Sequence, residues 1–176
     1  MFEQQRQRKA KLSSLQIIAL GFFLIILAGT GLLMLPVSTQ APGGASFGDA
    51  LFTATSATCV TGLVVRDTGT YWSTFGQVVI IALIQVGGLG FMTIATLFML
   101  LLRRRLGLRQ REVVVDSISH YQLSGIIPFV KRIFFGTLLV EGLGAVLLSL
   151  RFVEDFGLER GVYYGIWHSV SAFCNA

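Results

Sequence analysis

A short run of small polar residues could bind an ion. It reads Ser56-Ala57-Thr58-Cys59-Val60-Thr61-Gly62 and lies within a strongly apolar sequence. The run has no charge and no acid–base pair for catalysis, so it offers backbone carbonyl and hydroxyl oxygens. Irregular polar backbone at membrane depth is tolerated only where protein buries it or where it lines an aqueous path. The run is therefore a candidate ion-coordinating loop.

Oxygen atoms of this kind suit a monovalent cation. A desolvated cation needs several oxygen ligands but no fixed opposing charge that would trap it, and rings of backbone carbonyls meet both needs. Gly62 permits backbone torsions that other residues avoid, and the Thr58 and Thr61 hydroxyls can support the loop. Because one loop cannot surround an ion, several loops must converge, within one chain or between subunits.

The composition predicts an integral membrane protein. Of the 176 residues, 53% are hydrophobic and 13% are charged, whereas soluble domains carry roughly 25% charged residues. Most of the positive charge falls in three blocks beside long apolar segments, at residues 6–11, 103–111 and 131–132. This pattern indicates topology-setting charge on cytoplasmic loops rather than a surface for nucleic acid.

Enzymatic and metal chemistry have no support in the sequence. The two cysteines, Cys59 and Cys174, and the two histidines lack the spacing of a zinc site or of a disulfide framework. No nucleophile–base pair or paired carboxylate is present. We therefore expect neither an enzyme nor an organic cofactor.

Apolar segments must position the polar run. Residues 15–35 form an uncharged stretch of 21 residues, long enough to cross a hydrocarbon core of about 30 Å, and Pro36 ends it. The stretch is longer than the apolar part of a signal peptide and has no cleavage pattern after it, which favours a retained membrane helix. Residues 47–57 are too short to span, so they predict a re-entrant helix. Asp49 suits the positive N-terminal end of that helix.

The remaining apolar segments complete the predicted topology. Residues 71–102 form a second, charge-free span, in which Gly87, Gly88 and Gly90 would allow close helix approach. The later segments are a third span at residues 129–150, an outer loop at residues 151–160 and a second short helix at residues 161–174.

An internal repeat relates the two short helices. Ser56-Ala57-x-Cys59 recurs as Ser171-Ala172-x-Cys174 at an offset of 115 positions, and the same shift places the first span on the third. Repeats of this kind decide the fold. We expect an all-α integral membrane protein built from span–pore helix–loop–span units. The expected parts are a cytoplasmic N-terminus at residues 1–14, a complete unit at 15–102, a cytoplasmic linker at 103–128 and the first half of a second unit at 129–176.

Three motifs carry a resemblance to a known family. Phe52-Thr53-Ala54-Thr55-Ser56-Ala57-Thr58-Cys59-Val60-Thr61-Gly62-Leu63-Val64-Val65 resembles the first pore loop of the Trk/Ktr/HKT superfamily of potassium transporters. Asp67-Thr68-Gly69-Thr70-Tyr71 and Gln85-Val86-Gly87-Gly88-Leu89-Gly90-Phe91 look like its KtrB branch. His168-Ser169-Val170-Ser171-Ala172-Phe173-Cys174-Asn175-Ala176 is similar to the second pore loop. The resemblance covers nearly the whole chain.

The resemblance implies a selectivity filter. Members of that superfamily carry four span–pore–span repeats around one pathway related to that of simple potassium channels. By this likeness Thr58, Cys59, Val60, Thr61 and Gly62 form the first filter strand and bind potassium through backbone carbonyls. The second strand begins with Cys174, Asn175 and Ala176.

The resemblance also implies an ion, a location and partners. Potassium would be the transported ion and sodium a candidate coupling ion. The chain would be a multi-pass protein of the bacterial plasma membrane with a cytoplasmic N-terminus, in contact with the lipid bilayer. Its expected partners are a second membrane subunit in a homodimer and a cytoplasmic nucleotide-binding regulatory ring like KtrA, and no nucleic acid.

Two questions stay open at the level of sequence. With one and a half of four repeats, the chain is either part of the pore-forming subunit or a truncated, non-conducting helical membrane fragment that serves as an assembly or scaffold unit. Glu141 lies inside the third span, where an ionisable residue is costly and suggests function. It either pairs with a hydroxyl or backbone amide of a helix packed against Gly142 and Gly144, or it has a direct ion-binding or gating role.

Overall fold

The structure is a computed structural model that describes residues 14–90 and 126–176. The protein is helical in these residues. Within those residues there is no β-strand beyond an isolated antiparallel bridge between Thr39 and Trp72, so the all-α prediction is confirmed there. The helices are α1 (Ser14–Leu33), α2 (Phe47–Thr58), α3 (Thr74–Leu89), α4 (Ile126–Phe156) and α5 (Leu158–Cys174), and Pro36–Ser38 forms a short 3-10 helix.

Local sequence explains where α1 ends and how the chain turns after it. Pro36 occupies the start of the 3-10 helix, where its missing N–H leaves no hydrogen bond unmade. The Ser38 hydroxyl donates to the carbonyl of Leu32 at 2.6 Å and so satisfies a carbonyl at the end of α1. Ser38 is fully buried. The α1 terminus is therefore fastened to the turn that leads to α2.

The predicted short helix at residues 47–57 is present as α2. Ser46 caps it by accepting a hydrogen bond from the Asp49 N–H at 3.1 Å, and Asp49 lies in the first turn, where a negative charge is favoured. With 12 residues, α2 is about 18 Å long. It packs against α1 and α3 through small residues, Ala50 and Ala54, that are fully buried.

Within the described residues, the second predicted span, residues 71–102, contains α3. Ser73 caps α3 by accepting from the Gly76 N–H at 3.2 Å. The helix ends at Leu89, because Gly90 has a φ of 79° and cannot continue an α-helix. Residues 1–13 and 91–125 lie outside the described residues. They include most of the predicted N-terminal segment, the end of the predicted second span and nearly all of the predicted linker.

The prediction of an outer loop at residues 151–160 is wrong. The third apolar segment continues as helix to Phe156, and α5 begins at Leu158, so Gly157 alone connects the two. Arg151 pairs with Glu154 at 3.3 Å and with Asp155 at 3.0 Å; these are the spacings at which opposite charges stabilise a helix. Gly157 has a φ of 78°, and α5 folds back along α4.

Helix length distinguishes α4 from the other helices. Among the described residues, Val130–Phe156 is the one helix that is long and apolar enough to cross a membrane. The apolar segments of α1 and α3, Ile18–Leu33 and Thr74–Leu89, are shorter. One side of α4 exposes large apolar side chains, including Phe135, Leu139, Leu143, Leu147 and Leu150.

Candidate functional site

The first loop, residues 58–62, begins where α2 ends and folds back on that helix. The backbone N–H groups of Cys59, Val60 and Thr61 donate to carbonyls of α2 at 2.8, 3.3 and 3.0 Å. In a trans peptide the C=O points opposite to the N–H of the next residue. The carbonyls of Thr58, Cys59 and Val60 therefore face away from the turn of α2 that the amides contact.

An unusual backbone accompanies this arrangement. Cys59 has a φ of −86°, whereas Val60 has a φ of 56° and Gly62 a φ of 69°. Alternation between right-handed and left-handed residues places successive N–H groups on one side of the chain. Gly62 tolerates such a φ without strain, but a β-branched residue such as Val60 is an outlier there.

Ser56 fixes the first loop to α2. Its hydroxyl donates to the Leu63 carbonyl at 2.6 Å and lies 2.9 Å from the hydroxyl of Thr61. Because a serine has one proton to donate, Thr61 donates to Ser56 when Ser56 donates to Leu63. One buried side chain thus holds the end of the loop, at Thr61, and the residue that follows it, Leu63.

The second loop, residues 174–176, repeats the hydrogen bonds of the first. Asn175 donates its N–H to the Ala172 carbonyl at 3.2 Å, and Ala176 donates to the Ser171 carbonyl at 3.0 Å. Shifted by 115 positions, these are the bonds of Val60 and Thr61. The Ser171 hydroxyl donates to the Ala176 carbonyl.

The two loops meet in space. A Cβ atom on Gly62 would lie 3.6 Å from the carbonyl carbon of Ala176. Beside this contact is a cavity of about 310 Å³, lined by Ser56, Ser171 and Asp67 among others. No group of three or more His, Cys, Asp or Glu that could hold a metal occurs among the described residues. Serine residues of α2 and α5 and the acidic Asp67 thus line the place where the two loops meet.

Two adjacent glycines bring α3 against both loops. A Cβ atom on Gly87 would lie 2.9 Å from the Thr58 carbonyl carbon, and one on Gly88 would lie 2.9 Å from Cβ of Cys174. Real Cβ atoms do not approach so closely. The close approach predicted for these two glycines is confirmed, whereas Gly90 has no neighbour within 4 Å of its Cβ position.

Thr58 is enclosed by this packing. Its side chain is 1% exposed, and its hydroxyl has no hydrogen-bond partner within the described residues. Its carbonyl lies against Gly87. Of the residues predicted to line the first filter strand, Thr58 is thus the most enclosed, whereas Cys59 is exposed.

Glu141 is paired, although its partner differs from the expected hydroxyl or backbone amide. The side-chain amide of Gln85 donates to both carboxylate oxygens, at 2.9 and 3.1 Å. The carboxylate lies between α3 and α4, and the residue is 5% exposed. Gln85 has no role in the sequence-based predictions, although a single amide within a charge-free apolar segment is the signal that could have identified it.

A second glutamine was also missed. Gln77 accepts a hydrogen bond from the Tyr163 hydroxyl at 2.8 Å and donates to the Trp72 carbonyl at 3.0 Å. The Trp167 indole donates to the Gln77 backbone carbonyl at 3.4 Å. The bonds to Tyr163 and Trp167 join α3 to α5 near the start of α3. Gln85 and Glu141 meet nearer the end of α3.

Charged residues stabilise the segment after the first loop. Arg66 pairs with Asp49 at 3.1 Å and stacks its guanidinium 5.3 Å from the centre of the Tyr71 ring. Asp67 accepts from the hydroxyl and backbone N–H of Thr70 at 2.7 and 2.8 Å. These bonds hold the pKa of the Asp67 carboxyl below its ordinary value. The return segment thus has its own local structure.

Known proteins resemble this chain over nearly its whole length. Residues 3–176 match the TrkH family of cation transport proteins. The potassium uptake protein B of the Ktr system of Bacillus subtilis is 47% identical over 161 residues, which cover 92% of this chain and 36% of that protein. The potassium/sodium uptake protein NtpJ of Enterococcus hirae is 42% identical over 173 residues, which cover 98% of this chain and 38% of that protein.

A third relative is matched over similar shares of the two chains. The Ktr system potassium uptake protein B of Vibrio alginolyticus is 39% identical over 171 residues, which cover 97% of this chain and 37% of that protein. The chain therefore spans just over a third of the length of the relatives it matches.

Proposed function

Because the chain belongs to the TrkH family of cation transport proteins, we propose that it forms part of the pore-forming subunit of a potassium uptake system in the bacterial plasma membrane. The observation that carries the proposal is the contact between the two loops. Gly62 and Ala176 lie side by side. Each loop donates backbone N–H groups to the carbonyls of a serine and an alanine at equivalent positions of the helix before it. Loops that converge in this way supply oxygen ligands from two directions.

Each loop would contribute one strand of a selectivity filter. The first strand is residues 58–62 and the second starts at residues 174–176. Their backbone amides bond back to the helices. Because the Thr58 carbonyl lies against Gly87, the carbonyls proposed as ligands for a dehydrated cation are those that follow Thr58. Such ligands bind an ion firmly enough for it to enter and weakly enough for it to leave. Potassium is the proposed ion, because the relatives are named as potassium uptake proteins. Sodium, which the name of the Enterococcus hirae relative includes, is a candidate coupling ion.

Topology and partners belong to the same proposal. The units would be span–pore helix–loop–span repeats, with α2 and α5 as the pore helices and the N-terminus in the cytoplasm, where its basic residues favour it. Several relatives are named as parts of a Ktr system. A homodimer of membrane subunits and a cytoplasmic nucleotide-binding ring are the partners that this likeness proposes.

A chimera tests the proposal directly. The chain replaces the matching 161 residues of the Bacillus subtilis relative, and the chimera is expressed in cells that lack their own potassium uptake. We expect growth at low potassium and uptake of rubidium as a tracer. A chimera that reaches the membrane in normal amount but takes up no rubidium would contradict the proposal.

Two glycine variants of the chimera locate the filter. Gly62→Ser puts a side chain at a φ of 69° beside Ala176, and Gly43→Ser puts one at a φ of 115° with no neighbour within 4 Å. Both changes strain the backbone, but only the first touches the loops. We expect Gly62→Ser to lower the preference for potassium over sodium about tenfold, a difference of about 1.4 kcal/mol, and Gly43→Ser to leave it unchanged. Equal preference in the two variants would rule out the filter assignment.

A second function is a non-conducting assembly or scaffold unit. It is favoured by one observation: the residues that the structure describes supply two loops in contact, and two strands do not enclose an ion. The chain expressed alone distinguishes the functions. Rubidium uptake by the chain alone rejects the scaffold function. Membrane insertion and association with a tagged second copy, together with a chimera that reaches the membrane and takes up no rubidium, support it.

A further inference from the structure

Gln85 joins three helices through one side chain. From α3, its amide nitrogen donates to both carboxylate oxygens of Glu141 on α4. Its amide oxygen lies 3.9 Å from Sγ of Cys174 at the end of α5, within the distance of a thiol hydrogen bond. One amide therefore connects an intramembrane carboxylate with the first residue of the second loop.

The carboxylate determines which way this amide faces. An ionised carboxylate only accepts hydrogen bonds, so it attracts the NH₂ group of Gln85 and leaves the carbonyl oxygen on the other side. That oxygen is the acceptor that the Cys174 thiol requires. Removing the carboxylate removes the reason for the amide to keep this orientation.

Close packing holds the pair and Cys174 at one level of the protein. Gly88, three residues after Gln85, leaves room for Cys174. On the other side, the Ser169 hydroxyl donates to the Glu141 backbone carbonyl at 2.6 Å, and a Cβ on Gly144 would lie 3.5 Å from Cβ of Ser169. The helices thus have little freedom to compensate for a lost hydrogen bond.

We propose that Gln85 and Glu141 form a positioning pair that fixes the place of Cys174 and with it the start of the second loop. The proposal rests on the proposed function where it treats the second loop as part of an ion pathway. The contact with Cys174 itself is a separate statement, because it is measurable in a chain that transports nothing.

Thiol labelling measures that contact. In a Cys59→Ser background Cys174 is the one remaining cysteine, and its reaction rate with methyl methanethiosulfonate is followed by mass spectrometry on the purified chain in detergent. We expect Gln85→Leu, which leaves the charge of Glu141 in place, to raise the rate about tenfold, the effect of losing one hydrogen bond. Glu154→Ala, which removes an exposed glutamate from the same helix, serves as the matched control and should leave the rate unchanged.

An exchange of the two side chains separates positioning from damage to the fold. Gln85→Leu removes the amide and keeps the charge of Glu141, so it should raise the labelling rate. The double variant Gln85→Glu with Glu141→Gln has the same net charge as the parent and restores an amide–carboxylate pair with its ends exchanged, and a carboxylate oxygen still faces Cys174. The double variant should therefore label at least as slowly as the parent. Equal rates in Gln85→Leu and in the double variant would overturn the proposal, as would an unchanged rate in Gln85→Leu.

The transport assay keeps this proposal distinct from the proposed function. In one outcome, the parent labels slowly, the exchange restores slow labelling, and the chimera takes up no rubidium. This outcome supports the positioning pair and rejects the transport function. Rubidium uptake by a chimera whose Cys174 labels equally in all variants supports transport and rejects the positioning pair. Where both hold, Gln85→Glu should lower the preference for potassium over sodium and the double variant should recover it.

Discussion

Val60 and Asn175 stand 115 positions apart in the sequence and share a left-handed backbone, with φ of 56° and 62°. Each follows a short helix, and each donates its N–H to an alanine carbonyl three residues earlier, at 3.3 and 3.2 Å. L-residues rarely adopt such φ values. A conformation that is sterically disfavoured and yet recurs at the same position of both loops indicates that the loops follow one backbone plan.

This shared backbone predicts the effect of changing Asn175. Asparagine tolerates the left-handed region better than other residues with a Cβ atom, and glycine tolerates it best. We expect Asn175→Ala to lower the free energy of unfolding by about 1 kcal/mol and Asn175→Gly to leave it unchanged or slightly raised. Thermal unfolding in detergent, followed by circular dichroism, measures both. The same loss in both variants would mean that the asparagine side chain, and not the φ value, stabilises this end of α5.

The close approach of α3 to the first loop predicts a penalty for a single methyl group. Gly87→Ala puts a Cβ atom against the Thr58 carbonyl and 3.0 Å from a methyl carbon of Val60, so we expect a loss of about 1–3 kcal/mol in the free energy of unfolding. Gly142→Ala is the control, because it also adds a methyl group to a helix but has no neighbour within 4 Å. Denaturant titration in detergent should show Gly142→Ala as neutral or slightly stabilising. Equal stability of the two variants would contradict the packing of α3 on the loop.

The hydroxyl pair of Ser56 and Thr61 predicts coupled mutational effects. Ser56→Ala removes the bonds to Thr61 and to the Leu63 carbonyl, and Thr61→Val removes the first of these and the 3.5 Å bond of the Thr61 hydroxyl to the Ser56 backbone carbonyl. We expect single losses of about 1 kcal/mol each in the free energy of unfolding and a double variant less damaged than their sum. Unfolding measurements on the four proteins of the cycle provide the coupling energy. Additive losses would show that the two hydroxyls act independently.

The return segment after the first loop predicts a response to acid. The Thr70 hydroxyl and backbone N–H lower the pKa of Asp67 below its ordinary value, because they stabilise the ionised form. The stabilisation is therefore complete above the ordinary pKa of an aspartate, and it is lost as the pH falls through the lowered value in the folded protein. Carbon chemical shifts of the labelled carboxyl group, recorded against pH, locate the transition.

Two threonine variants test this assignment. Thr70→Val removes the hydroxyl that donates to Asp67 and should raise the pKa of Asp67 toward its ordinary value. Thr68→Val changes a neighbouring threonine outside the hydrogen bonds that lower this pKa and should leave it in place. A shift of the same size in both variants would contradict the role of Thr70.

The helices were predicted from the sequence where short-range signals are strong. The short apolar run and Asp49, whose charge suits a helix N-terminus, are signals carried by neighbours along the chain, so α2 was located to within one residue. The prediction failed at residues 151–160, where charges indicated a loop. Those charges instead pair along α4, since Arg, Glu and Asp three and four residues apart stabilise a helix as readily as they occupy a loop.

The sequence by itself determined the apolar helices, the family and the offset of 115 positions, because composition, periodicity and repeated motifs are properties of the chain alone. The tertiary structure decided which atoms meet. Gln85 with Glu141, Gly87 with Thr58, and Gly62 with Ala176 are each joined across at least 29 positions. Such contacts depend on how closely the helices approach one another. In this protein the small residues set that distance, and only the packed chain shows which side chains the distance brings together.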